Sequence, residues 1–146
     1  MMASDKKQLI QVFLRTVGHD IRHYRALLPL LKAQRALYLT FDANLLDANT
    51  KQQLPLLAAL KRSSNERSQS LTQLGLSADD NGVARLLSVL PNTLSTQAKN
   101  QWSMLKNLIE QCQKYNAENG QTSASFHEML SQMTTASSPT YQENTL

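Results

Sequence analysis

"CQKYNAENGQ", residues 112–121, sets Asn119–Gly120, among the strongest turn signals a sequence can carry, inside a stretch of helix-forming residues. A reversal there makes the last third of the chain a short hairpin; without one it is a single long helix. Helical phase separates the two. Counted from Leu94, a stripe runs through Ala98, Gln101, Leu105, Leu108, Cys112, Tyr115, Asn119, Thr122, Phe126, Met129 and Met133, its spacing alternating four and three without a slip on either side of the pair. A two-residue hairpin has no reason to preserve that phase. A glycine inside a helix costs only about 1 kcal/mol relative to alanine, which a long amphipathic helix absorbs. The pattern predicts one helix over about 93–134, with Asn119 and Thr122 as a polar layer that fixes register at some cost in stability.

Upstream, Pro91 punctuates, and Asn92 or Thr93 is placed to cap the long helix. Val83, Leu86, Leu87 and Leu90 make a short helix over 78–90, for which Ser77 and Asp80 resemble a loose capping box. Leu45, Leu54, Leu57, Leu60, Leu71 and Leu74 mark a helix over 43–74, started near Asp42 and ended by Gly75. Its middle, "KRSSNERSQS", reads as a solvated stretch. The first helix, over 5–40, carries Ile10, Phe13, Val17, Tyr24, Leu27, Leu31, Tyr38 and Phe41 on one stripe with Asp20 and Gln34, and Pro29 predicts a kink within it. The fold class is therefore all-α: an elongated antiparallel helical bundle or coiled coil with a long C-terminal helix. Residues 1–133 form one domain, and the proline-containing polar stretch 134–146 reads as a flexible tail.

Composition narrows the function classes. The 146 residues carry a net charge of +4, unevenly placed: eleven Lys/Arg against five Asp/Glu in residues 1–67, four against six thereafter. The basic residues of the first helix are spread among aliphatics without the aromatic interleaving that base stacking wants, so a solvated face is expected rather than a nucleic-acid site. No apolar run exceeds six residues, which excludes a helical membrane span, and the polar start lacks the apolar core of a signal peptide. A cytoplasmic protein is expected. "HDIRH", residues 19–23, places two imidazoles on one helix face. It lacks a third ligand nearby, however, and Arg22 and Arg25 repel a cation, so no metal is expected. Cys112, the single cysteine, lies on the apolar stripe and reads as a buried small hydrophobe. No cofactor loop, nucleophile elbow or acid–base pair is found, and the chain reads as a non-enzyme. An amphipathic helix longer than its own core implies a partner. Met129 and Met133, at the end of the stripe, suit a surface that accepts partner helices.

The order of these signals resembles the FlgN family of flagellar type III export chaperones. The residues carrying the resemblance are Ala36–Leu37 before Asp42, Lys51 before Leu56–Leu57, then Arg67, Leu74 and Gly75, and, in "WSMLKNLIEQCQKYNAENG", Asn116 with Asn119–Gly120. The tail "SPTYQENTL" is similar to the family's tyrosine-containing C-terminus. The resemblance implies a chaperone without cofactors. Its cargo would be hook-associated junction proteins of the FlgK/FlgL type, whose C-terminal helices it would hold unassembled and deliver to the flagellar export gate. On that implication cargo lies along Leu105, Leu108, Cys112, Tyr115, Asn119, Phe126, Met129 and Met133, and Tyr141 helps dock at the gate. Two other readings stand beside it: a structural coiled coil that self-associates into a homo-oligomer through the long helix, and a weakly basic nucleic-acid-binding helical protein.

Overall fold

A computed structural model describes the backbone of residues 3–137 and the side chains of residues 4–121. It contains four helices, α1 (Ala3–Thr40), α2 (Ala43–Gln73), α3 (Asp80–Ser88) and α4 (Asn92–Ser137), and no strand among the described residues. α1 continues through Pro29, which lies on the exposed side. A tight turn at Phe41, whose φ is 56°, joins α1 to α2. The Asp42 carboxylate caps α2 by accepting from the Leu45 N–H at 3.0 Å. α2 ends in a Schellman arrangement. The Leu76 N–H donates to the Leu71 carbonyl and the Gly75 N–H to the Thr72 carbonyl, with Gly75 at φ 77°.

α3 is shorter than the expected 78–90, and its cap is Asp79 rather than Ser77. The Asp79 carboxylate accepts from the Gly82 N–H at 3.0 Å and from the Ser77 hydroxyl at 2.6 Å. Those bonds, the serine's first, hold its carboxyl below the usual carboxylate range. Gly82 weakens a helix by propensity, but a Cβ here would run into the Ser77 carbonyl, so the close approach requires glycine. The α4 helix starts where the Pro91 carbonyl accepts from Ser95 N–H, and the Ser95 hydroxyl reaches back to the Leu87 carbonyl at 2.7 Å, tying α3 to α4.

α1 lies between α2 and α4, which approach each other less closely than each approaches α1. Asp20 pairs with Arg67 and the Leu30 carbonyl with Asn49, so α1 and α2 are antiparallel. Phe13 meets Trp102, Lys32 covers Tyr115 and Arg35 pairs with Glu118, so α4 runs parallel to α1 and antiparallel to α2. The connection through α3 makes this possible, because it carries the chain sideways at the α1 N-terminal end. Two apolar clusters fill the bundle. Phe13, Val17 and Ile21 pack with Leu71, α3 and Leu105; further along, Leu27 and Leu31 pack with Leu60 and Cys112.

The long helix passes through Asn119–Gly120 without interruption and extends to Ser137, past its expected end. Gly120 is helical and has open space where a Cβ would stand. Gly120→Ala is therefore expected to stabilise the protein by about 1 kcal/mol, read as a higher urea midpoint at unchanged m-value. A turn at this position would instead show a loss.

Candidate binding surface

Five of the stripe residues expected to hold cargo are seated inside the bundle or against it. Leu105, Leu108 and Cys112 are buried in the two apolar clusters. Tyr115 is half-buried beside the second, with the Lys32 ammonium 5.6 Å from its ring centroid. Burial pushes the Cys112 thiol above its ordinary range, which keeps it protonated and poorly nucleophilic. Asn119 is buried and donates to the Leu31 carbonyl at 2.9 Å and the Gln34 amide oxygen at 3.3 Å. The side chains of Phe126, Met129 and Met133, and all of Tyr141, lie outside the described residues, as does His127.

The polar layer at Asn119 spans three helices. Gln53 donates to both Gln34 and Asn49, and Asn49 donates to the Leu30 carbonyl at 2.9 Å. Amides rather than leucines thus occupy the seam between α1 and the start of α2. Leu45, Leu54 and Leu57, expected on that seam, instead face outward, and Phe41 is half-exposed in the turn. The physical reason is register: Asp42 and the turn fix where α2 begins, and from there the inward positions are 49, 53, 56 and 60. Only Leu56 and Leu60 among these are apolar. An amide layer of this kind specifies alignment, because any slip would leave buried amides without partners.

Register also locates the far half of α4. Arg35 with Glu118, Gln34 with Asn119 and Leu31 with Asn119 are separated by 83, 85 and 88 residues. At that offset the end of α1 at Thr40 is level with roughly residues 123–128 of a straight α4. The helix continues to Ser137. Its last stretch, about two and a half to four turns of a straight helix, therefore runs past the turn that closes α1 and α2. Leu39, 68 % exposed, with Phe41 and Leu45, sits at that same end.

Elsewhere the polar groups serve the bundle. Asp20, with 1 % of its side chain exposed, pairs with Arg67 at 2.7 Å, and the guanidinium lies 5.8 Å from the Trp102 ring centroid. The "KRSSNERSQS" segment is thus not wholly solvated: Arg67 points inward from it. Burial, then the Asp20 charge, pushes the Tyr24 phenol above its ordinary range. Trp102 tilts against Phe13 at 5.8 Å, beside the stripe. Among the described residues no His, Cys, Asp and Glu group could hold a metal, and no helix is long and apolar enough to cross a membrane.

The described residues form an all-helical bundle whose last helix is longer than the others. The comparisons sharpen this. The family model described as "FlgN protein" matches residues 1–145. The fold resembles the crystal structure of a protein described as a flagella synthesis protein FlgN from Pseudomonas aeruginosa, with a TM-score of 0.69 at 25% identity, covering 75% of this chain and 84% of that one. No match is found among curated proteins. The chain belongs to the FlgN family of flagellar export chaperones.

Proposed function

We propose that this protein is a cytoplasmic export chaperone for hook-associated junction proteins. It captures their C-terminal amphipathic helices on the far part of α4 and delivers them to the flagellar export gate. The observation that carries the reading is the overrun of α4. Its stripe is buried against the bundle as far as Asn119, and the sequence carries the same phase on through Phe126, Met129 and Met133 in a helix that continues to Ser137. Thioethers suit such a surface because they repack against different partner side chains. Leu39 and Leu45, at the same end, extend the apolar area available to a cargo helix.

On this assignment the roles of the stripe divide. Leu105, Leu108, Cys112, Tyr115 and Asn119 hold the platform, and Asn119 fixes α4 against α1 rather than loosening a cargo contact. Phe126, Met129 and Met133 take the cargo, and Tyr141 contacts the gate. Covering the apolar face of a junction protein before export blocks its premature polymerisation. The protein is not an enzyme on this reading, needs no cofactor, and binds neither nucleic acid nor membrane.

The test is capture of purified C-terminal segments of hook-associated proteins from the source bacterium. The full-length chain is expected to retain at least one. A Phe126→Ser/Met129→Ser variant is expected to bind it at least tenfold more weakly with the same thermal unfolding. Failure of every segment to bind the full-length chain removes the chaperone reading. A tight cargo-free oligomer in light scattering would favour the self-associating coiled coil.

A further inference from the structure

We propose that the cleft between α1 and α2 lined by Arg15, His19, His23, Arg62, Ser63 and Glu66 binds a phosphate-class oxyanion, a site independent of the cargo surface. Arg15, His19 and His23 are four residues apart in succession, so they share one face of α1. Arg62, Ser63 and Glu66 face them from α2 across a cavity of about 340 Å³. The opening lies between the helices, on the half of the bundle away from the α1–α2 turn.

The charges in this cleft are uncommitted. Arg67 is taken by Asp20 and Arg35 by Glu118, whereas Arg15 and Arg62 make no ion pair among the described residues. Arg62 and Glu66 are four residues apart on one helix, a spacing that favours pairing, and yet no ion pair joins them. The His23 Nδ1 is closed to solvent and has no hydrogen-bond partner, so any contact from this ring to a ligand is made through Nε2. The His19 and His23 rings stand edge to face with centroids 6.4 Å apart. The Thr16 hydroxyl is already used, donating to the Phe13 carbonyl.

This lining selects its ligand class. Two guanidiniums against one carboxylate leave the cleft positive even with both imidazoles neutral, which disfavours a metal ion. Guanidinium forks match the oxygens of phosphate bidentately, and an imidazole nitrogen and a serine hydroxyl supply further donors. The cavity is larger than one phosphate, so a diphosphate fits the space better. Glu66 is the opposing charge and sets the direction of a diagnostic substitution.

The experiment is titration of the full-length protein with pyrophosphate and with inorganic phosphate, each against sodium chloride at matched ionic strength. Binding is read from the ring resonances of the histidines. The His19 and His23 signals are expected to shift saturably with pyrophosphate, more weakly with phosphate, and not with chloride, while His127 stays still. Arg15→Gln and Arg62→Gln, both at exposed positions, are each expected to weaken pyrophosphate binding at least tenfold without changing the thermal unfolding, and Glu66→Gln to tighten it several-fold. Equal, non-saturating shifts with chloride would reduce the cleft to a screened basic surface and overturn the proposal. So would arginine variants that bind as the parent does. Cargo capture is expected to be unaffected by all three substitutions, so failure here leaves the chaperone reading standing.

Discussion

Replacing Arg67 with alanine is expected to destabilise the protein by about 3–5 kcal/mol, the cost of stranding a buried carboxylate without its partner. Asp20 has 1 % of its side chain exposed, and its Oδ2 receives the Arg67 Nη1–H at 2.7 Å. Its Oδ1 is buried with no other donor. The guanidinium also lies over Trp102, which packs on Phe13 in the first apolar cluster, so truncation removes packing as well as charge. Urea unfolding measures the loss directly. The double variant Asp20→Leu/Arg67→Met is expected to recover most of it, because a buried ion pair contributes little net stability over apolar residues of similar size. A loss below about 1 kcal/mol in Arg67→Ala would mean that water reaches Asp20 and that the pair behaves as a surface one.

How much of this was legible in the sequence differs between helices. The α4 stripe could be followed because its phase is unbroken from Leu94 onward, and phase is a property the chain carries by itself. The same holds for the α1 core positions Phe13, Val17, Leu27 and Leu31, and for Asp20 and Gln34 as polar members of that stripe. The first half of α2 was not legible, since pattern alone assigns leucines inward. The structure turns Asn49 and Gln53 in and Leu54 and Leu57 out. What decides that face is the amide network with Gln34, Leu30 and Asn119, and its partners are 19 residues and more away in sequence. The inward turn of Arg67 was hidden for the same reason. An arginine in so polar a run looks solvated until Asp20 is known to stand opposite. The cleft of Arg15, His19, His23 and Arg62 escaped for a further reason: only half of it lies on one helix. The histidine spacing signalled a shared face and no metal, but the arginine and glutamate that complete the lining come from α2.

The second large effect separates platform from cargo surface on a single helix. Leu105 is fully buried among Phe13, Val17 and the α3 leucines. Leu105→Ala removes three methylene-sized groups from a packed cluster and leaves a cavity, so a loss of about 2–5 kcal/mol is expected in chemical or thermal unfolding. Cargo affinity, measured well below the unfolding transition, is expected to stay within a factor of two of the parent, because the residue faces α1 and not the cargo. The Phe126→Ser/Met129→Ser pair is expected to do the reverse, losing cargo while keeping stability. A single continuous stripe then carries two separate functions, the platform as far as Asn119 and cargo capture beyond it. If Leu105→Ala instead abolished capture in a chain that remained folded, the covered half of the stripe would have to open when cargo binds. The amide layer at Gln34, Gln53 and Asn119 would then be the seam that parts, since amides separated from one another can be satisfied by water whereas the leucine cluster cannot.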